Sequence, residues 1–106
     1  MLTVTGQFKD GLEISGKKHH DFELRVPNTG DLLDAEDELT GDAVFKPQTF
    51  SATLAAIVMV RIGTFKGPFS STMFRELSRR DWFELRDKLN DAEELGKPQS
   101  GDAGSN

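Results

Sequence analysis

The sequence predicts an α+β fold, with a small N-terminal antiparallel β-meander or hairpin followed by three to four helices packed on one face of the sheet. Two observations carry this prediction. The first 26 residues are rich in β-branched and alternating apolar residues and contain two turn signals. After Pro27, apolar residues recur at helical spacing and follow capping residues. Strands that precede helices in this way are typical of the α+β class.

The strands are predicted at residues 3–8, 12–14 and 22–26. Lys9, Asp10 and Gly11 form the first turn signal, because an Asp-Gly pair adopts the positive φ that a tight hairpin needs. Residues 15–18 form the second turn signal. The pattern favours a three-stranded meander, or a hairpin with a short third strand, whose apolar face the following helices must cover.

The first two helices are predicted on either side of a loop at residues 40–48. Asn28, with Asp31 three residues later, resembles a capping box and starts a helix that ends by Gly41. Thr49 is predicted to cap a second helix over residues 50–62, with Gly63 just past its end.

Two further helices and a tail complete the predicted organisation. A short helix is expected over residues 72–79, and Asp81, with Glu84 three residues later, caps a last helix that ends at Gly96. Residues 1–95 are predicted to form a single α+β domain. Residues 96–106 hold no apolar residue beyond one alanine and are predicted to be a disordered C-terminal tail.

The apolar stretch over residues 52–60, ATLAAIVMV, is unusual in so acidic and polar a chain. A surface helix normally pairs an apolar stripe with a polar face, whereas this helix is apolar almost all the way round. A domain of 106 residues has a modest core and can hardly surround such a helix. We therefore expect part of its surface to meet another polypeptide, either a second copy or a client.

The charge of the chain argues against two classes of partner. Its net charge of −5 and pI of about 4.9 argue against duplex nucleic acid or an anionic membrane as the main partner, because both bind to a basic surface. The four arginines between residues 75 and 86 are interleaved with acids, which weakens a nucleic-acid interpretation. The apolar stretch is shorter than the roughly 20 residues that span a bilayer, and the N-terminus has no signal-peptide pattern. We expect a soluble, cytoplasmic protein.

The sequence offers little for catalysis or metal binding. The adjacent histidines His19 and His20 point to opposite faces of a strand, and no third ligand is suggested nearby. The acids between residues 31 and 38 do not follow the EF-hand pattern and are better explained as a solvated helix face. No cysteine, nucleophile elbow or phosphate-binding loop occurs. We expect no enzyme activity, no cofactor and no metal.

The second half of the chain is dense in apolar side chains, most of which must form the core. Flexible thioethers and aromatic rings adapt well to apolar partners, so these types are the best candidates for an interface. The predicted partner-binding residues are Ile57, Met59, Phe65, Phe69, Met73, Phe74 and Trp82.

Two passages of the chain resemble the tail assembly chaperones of Mu-like, contractile-tailed phages and prophages. The first is Leu24-Arg25-Val26-Pro27-Asn28-Thr29-Gly30-Asp31-Leu32-Leu33-Asp34-Ala35-Glu36, in which a Leu-Arg-x-Pro strand end leads through a short turn to Asp and Leu-Leu. The second is Leu77-Ser78-Arg79-Arg80-Asp81, which lies between a Phe/Pro-containing connection and a closing amphipathic helix. The resemblance covers about residues 8–95, within which the first strands and the Lys17–His20 turn are family-variable and the loop at 40–48 is not diagnostic.

The resemblance implies a non-enzymatic protein that binds the long tape-measure protein, keeps it soluble in the host cytoplasm and is absent from the mature virion. Self-association is expected from the apolar helix. Two alternatives remain open: a small structural tail or head-completion protein of the virion, and a small acidic regulator.

Overall fold

The structure, a computed structural model, describes residues 2–39 and 46–96. The predicted tail beyond Gly96 and the central part of the predicted loop, residues 40–45, lie outside the described residues. The elements in chain order are β1 (Thr3–Ile14), β2 (Lys17–Arg25), α1 (Thr29–Asp37), α2 (Pro47–Val58), β3 (Met59–Ile62), a 3₁₀ helix (Ser71–Glu76) and α3 (Arg79–Leu95). The predicted α+β class is confirmed, with the difference that the third strand of the sheet follows α2 in the chain.

The sheet is antiparallel with the order β1-β2-β3, and its first two strands form a long hairpin. The turn predicted at residues 9–11 is wrong, because β1 continues through it with a shift in register between Gln7 and Leu12. Gly11 supplies the positive φ of +90° there, within an irregular strand instead of a turn. The hairpin turn lies at Ser15 and Gly16, as the second turn signal predicts.

The start of α1 confirms the predicted capping box. The Asn28 side chain accepts the backbone N–H of Asp31 at 2.9 Å, and the Asp31 carboxylate accepts that of Asn28 at 2.8 Å. Asp31 also receives two hydrogen bonds from the Arg25 guanidinium at the end of β2, at 2.6 and 3.0 Å. The side chain of Asp31 is only 9 % exposed, so this pair fixes α1 against the sheet in a largely water-free position.

The second helix differs from its prediction at both ends. It begins at Pro47, with Lys46 at the N-cap, so Thr49 is not the cap. It ends at Val58, because the chain turns extended at Met59 and pairs with β2 as strand β3. The β-branched residues Val60 and Ile62 favour this strand, but the uniformly apolar sequence around them does not show where the helix ends.

Gly63, predicted to lie just past the end of a helix, lies in the turn after β3 instead. Gly63 has a φ of +59°, and its N–H donates to the Asp21 carbonyl at 2.6 Å. A Cβ at this position would collide with the His19 ring, so a larger residue would disrupt the contact between β2 and the turn. On the outer face of the sheet, Arg61 bridges Asp21 and Glu23 at 2.6 and 3.1 Å.

The last two helices also begin differently from the prediction. The short helix is a 3₁₀ helix over residues 71–76 instead of 72–79. The last helix starts at Arg79 with Ser78 as its N-cap, and the Ser78 hydroxyl accepts the Asp81 N–H at 3.3 Å. Asp81 is therefore the third helical residue, and its carboxylate is free for a longer-range contact.

The Asp81 carboxylate holds the irregular part of β1. It accepts the backbone N–H groups of Lys9, Asp10 and Gly11 at 2.7, 2.9 and 3.0 Å. Asp81 is 1 % exposed and accepts these bonds with charged oxygens, which makes each of them stronger than a neutral hydrogen bond. The adjacent Arg80 pairs with Asp10 through contacts of 2.6 and 2.9 Å. The start of α3 thus satisfies backbone donors on an edge strand that would otherwise lack partners.

The core lies between the sheet and the helices. The Phe8 and Phe22 rings stack with centroids 4.6 Å apart, and α3 packs along β1 beside them. The helix α2 contacts β2, α1, the 3₁₀ helix and α3. The largest apolar side chains that are fully buried are Leu12, Phe22, Leu24, Leu54, Val58, Ile62 and Leu85.

Replacing Asp81 with Asn should lower the free energy of unfolding by about 3 kcal/mol, because the substitution removes the charge and places an amide nitrogen, which cannot accept, against at least one of the three β1 N–H donors. Urea denaturation followed by circular dichroism measures the effect. Asp87→Asn makes the same chemical change at an exposed position of the same helix and should be nearly neutral. Equal effects of the two substitutions would contradict this role of Asp81.

Replacing Asp31 with Asn should cost about 2 kcal/mol at neutral pH and much less in acid. The Arg25 guanidinium holds the pKa of Asp31 below its ordinary value of 3.8. A carboxyl group whose pKa is lowered by folding adds stability above its unfolded-state pKa and loses it as the pH falls through its folded-state pKa. The difference between wild type and variant in urea midpoint should therefore shrink below pH 3.8. A difference that stays constant with pH would contradict the assignment, and Asp34→Asn, exposed on the same helix, is the control.

Candidate partner-binding groove

A groove of about 420 Å³ lies between the first turns of α2 and α3 and the 3₁₀ helix. Its volume is in the range of sites that hold small molecules or a few side chains of a partner. All its lining residues come from these three elements and from Leu77, which links the last two. None of these lining residues, which belong to the described part of the chain, lies on a strand.

The floor of the groove is apolar. Ala52 of α2, Phe74 of the 3₁₀ helix, Leu77 and Trp82 of α3 contribute to it. The indole N–H of Trp82 donates to the Gln48 side-chain oxygen at 2.8 Å, which joins the first turns of α3 and α2 and satisfies the polar atom of the ring. The hydroxyl groups of the remaining polar wall belong to Thr49, Ser71 and Thr72.

The rim of the groove is cationic. Arg75 and Arg79 line it and are both exposed, and the Arg79 guanidinium lies 5.9 Å from the centroid of the Phe83 ring. None of the described residues that line the groove carries a carboxylate. This is a local reversal of charge in a chain whose net charge is −5.

The acids that follow these arginines in sequence face elsewhere. Glu76 lines a separate depression with Glu13 and Lys18 at the end of the hairpin. Asp81 binds the β1 backbone, and Glu84 accepts the Gln7 N–H at 3.3 Å. The positive rim is therefore not neutralised by its sequence neighbours within the described structure.

A second, smaller depression of about 210 Å³ lies beside α2. Ile57 and Phe69 supply its apolar wall, and Glu38, Ser70 and Ser71 supply polar groups. It differs from the groove in carrying an acid and no arginine among its described lining residues.

The seven predicted partner-binding residues fall into three groups. Phe74 and Trp82 line the groove, and Ile57 and Phe69 line the smaller depression. Met73 packs half-buried against the core, and Phe65 meets Phe69 edge-on with ring centroids 5.4 Å apart. Met59 is only 6 % exposed and belongs to the core, as does most of Phe74 at 5 %.

The apolar stretch itself is enclosed, contrary to the expectation that a domain of this size could hardly surround it. Every residue from 50 to 63 is buried or half-buried. The reason is that four elements pack around α2 and that residues 59–62 enter the sheet as a strand. The prediction that this stretch contacts a partner therefore concerns only its half-buried residues, such as Ile57.

Of the groove residues, the sequence-based prediction named only Phe74 and Trp82, and Arg75 and Arg79 are the charged residues that it did not single out. Their charges are visible in the sequence, but so are those of Arg80 and Arg86. Only the structure separates Arg80, which is paired with Asp10, from the two arginines at the rim.

The histidine pair is split by the fold. His19 is buried next to Gly63, whereas His20 is exposed, with its Nδ1 3.1 Å from the Phe8 carbonyl oxygen. Among residues 2–39 and 46–96, no group of three or more potential ligands is placed to hold a metal ion. No helix in the described ranges has the length and hydrophobicity needed to cross a membrane.

Comparison with known families identifies the chain. The sequence model of the family described as tail assembly protein gp41, from phage Mu, matches residues 8–104. The chain belongs to this family. Neither a curated protein sequence nor a solved structure matches the chain significantly. The family assignment confirms the resemblance noted in the sequence and establishes a role in phage tail assembly.

In this member of the gp41 family, one carboxylate in each of the two resembling passages has a structural role. Asp31 and Asp81 are each the third residue of a helix, and both are buried. Asp31 binds Arg25 and the turn before α1, while Asp81 fixes α3 on β1. These passages therefore hold the helices in place, and α3 in turn forms one wall of the groove.

A charged substitution at Met59 tests whether this residue belongs to the core or to an interface. Met59→Asp should unfold the domain, because an unpaired charge in the core costs about 3 kcal/mol or more. Phe83→Asp, at a position that is 48 % exposed, should leave the fold intact. Circular dichroism and size-exclusion chromatography distinguish the two outcomes. A folded Met59→Asp variant would contradict the placement of Met59 in the core.

Proposed function

We propose that this gp41-family protein is a non-enzymatic tail assembly chaperone that binds the tape-measure protein in the groove between α2, the 3₁₀ helix and α3. In this proposal it keeps that client soluble in the host cytoplasm until the tail tube forms around it, and it is absent from the mature virion.

The observation that carries the proposal is the concave apolar floor with a polar and cationic rim. Ala52, Phe74, Leu77 and Trp82 offer apolar contact, and Trp82 is of the residue type most enriched where binding energy concentrates. A groove between helices suits a partner helix that inserts its apolar face, since that mode buries side chains without needing a free strand edge.

The charge of the chain supports a chaperone role in a second way. A net charge of −5 gives repulsion between complexes and opposes aggregation of the client while it waits for assembly. Tail assembly as the family's role supports tail components as partners.

Self-association remains part of the proposal, and it would not use the apolar stretch of α2, whose residues are buried or half-buried. The large apolar side chains that are most exposed among the described residues are Leu2, Leu33, Phe83 and Leu95, at 47–63 %. They belong to the N-terminal segment, α1 and the two ends of α3, so contact between copies would use these positions.

Co-expression with the tape-measure protein of the same phage or prophage tests the proposal. The soluble fraction of the client, measured after centrifugation by quantitative blotting, should rise several-fold with the wild-type chain. Thr49→Phe should abolish most of this gain, because Thr49 is exposed, lines the groove and makes no described side-chain hydrogen bond, so the ring fills the space without unfolding α2. Thr5→Phe, on the exposed surface of β1, is the matched control.

Three results would contradict the proposal. No gain with the wild-type chain would exclude a chaperone role. An equal gain with Thr49→Phe would exclude the groove as the client site. Detection of the chain in purified particles by mass spectrometry would favour the alternative of a structural tail or head-completion protein.

A further inference from the structure

We infer that the groove selects an acidic amphipathic helix, one that places apolar side chains on the floor and carboxylates against Arg75 and Arg79. The inference rests on the proposed function, since it specifies the chemistry of the client segment that the groove accepts. It follows from the two arginines at the rim, from the helix N-termini that face the groove, and from walls that consist of helices.

The first argument is charge complementarity at the rim. Arg75 and Arg79 are exposed, and no described lining residue supplies a carboxylate to neutralise them. Arginine favours carboxylate partners because its planar guanidinium can donate two parallel hydrogen bonds. An acidic segment can therefore form two charged contacts here, whereas a basic segment would be repelled by the two arginines.

The second argument is the direction of the helices around the groove. Gln48 and Thr49 belong to the first turn of α2, and Arg79 and Trp82 to the start of α3, so both helices present their N-terminal ends to it. The N-terminal end of a helix carries a partial positive charge. The first turn of α2, which is described in full, contains no acid that would offset this charge, whereas Asp81 in the first turn of α3 offsets the charge of that helix end.

The overall negative charge does not oppose this selection at short range. Surface charges farther apart than a Debye length, about 8 Å at physiological salt, are largely screened from one another. Several acids of the described chain are also already paired: Asp10 with Arg80, and Asp21 and Glu23 with Arg61. The local field at the rim is therefore set by the two arginines and the N-terminal end of α2.

The third argument concerns the conformation of the partner. Strand addition requires a free sheet edge, and none of the described lining residues lies on a strand. A helix that carries apolar residues at i, i+3/i+4 and i+7 can insert several of them between two helical walls.

Trp82 provides a direct probe, because it is the single tryptophan of the chain and lies in the groove. Two synthetic peptides of about 20 residues are compared, long enough for helix formation. Both carry leucines at helical spacing and no tryptophan, and their remaining positions are mostly glutamate in one and lysine in the other. The change in Trp82 emission on titration gives the affinity of each peptide.

The glutamate peptide should bind about tenfold more tightly than the lysine peptide at physiological ionic strength, where the net charge of the chain is screened, and further added salt should narrow the ratio. The double variant Arg75→Glu/Arg79→Glu should reverse the order of the two peptides. Lys17→Glu/Lys66→Glu makes the same change in net charge at exposed lysines outside the groove and should preserve the wild-type order.

Equal affinities, tighter binding of the lysine peptide, or no response of Trp82 to either peptide would overturn the inference. Emission that changes with the concentration of the protein alone would also overturn it, because a second copy would then occupy the groove.

Co-expression separates this inference from the proposed function. If the double arginine variant still solubilises the tape-measure protein, the acidic selection fails and the chaperone role stands. If the wild type selects the glutamate peptide but does not solubilise the client, the chaperone role fails and the selection stands.

Discussion

The contact between the Asp81 carboxylate and three successive backbone N–H groups of β1 is the constraint on which the rest of the fold depends. It closes the irregular part of an edge strand, and it fixes the N-terminus of α3 at that strand. Trp82, the next residue of α3, thereby reaches across to Gln48 of α2. Arg79 belongs to the same turn of α3 as Asp81. The Asp81 carboxylate faces β1, away from the groove, but by fixing this turn it positions both Trp82 on the floor and Arg79 on the rim.

The change from helix to strand at Met59 has a similar long-range effect. If the helix continued to residue 62, its apolar side chains would need cover on every side. The strand instead places Met59 and Ile62 against β2 in the core and leaves Arg61 to pair on the outer face. Helix α2 is then short enough to be enclosed by its neighbours, and concave apolar surface remains at its first turn, where it meets the 3₁₀ helix and α3.

The ion pairs within the chain, more than its net charge, determine where positive charge remains on the surface. Arg25, Arg61 and Arg80 each bind carboxylates within the chain, and Arg61 lowers the pKa of Asp21 as Arg25 lowers that of Asp31. These pairs hold strands and helices together, and partly buried pairs do so with less screening than exposed ones. Arg75 and Arg79 are the arginines that line the groove, which is why an acidic tail assembly protein has a cationic rim.

The sequence by itself determined the α+β class, the hairpin turn at Ser15–Gly16, the Asn28–Asp31 capping box and the family. Each depends on residues that are close in the chain or on a pattern along it. Tertiary structure decided the strand at residues 59–62, the role of Asp81 and the groove. A uniformly apolar stretch has no period that separates helix from strand, so pairing with β2 settles its conformation. The partners of Asp81 lie about 70 residues away, and nothing in the local sequence specifies such a contact.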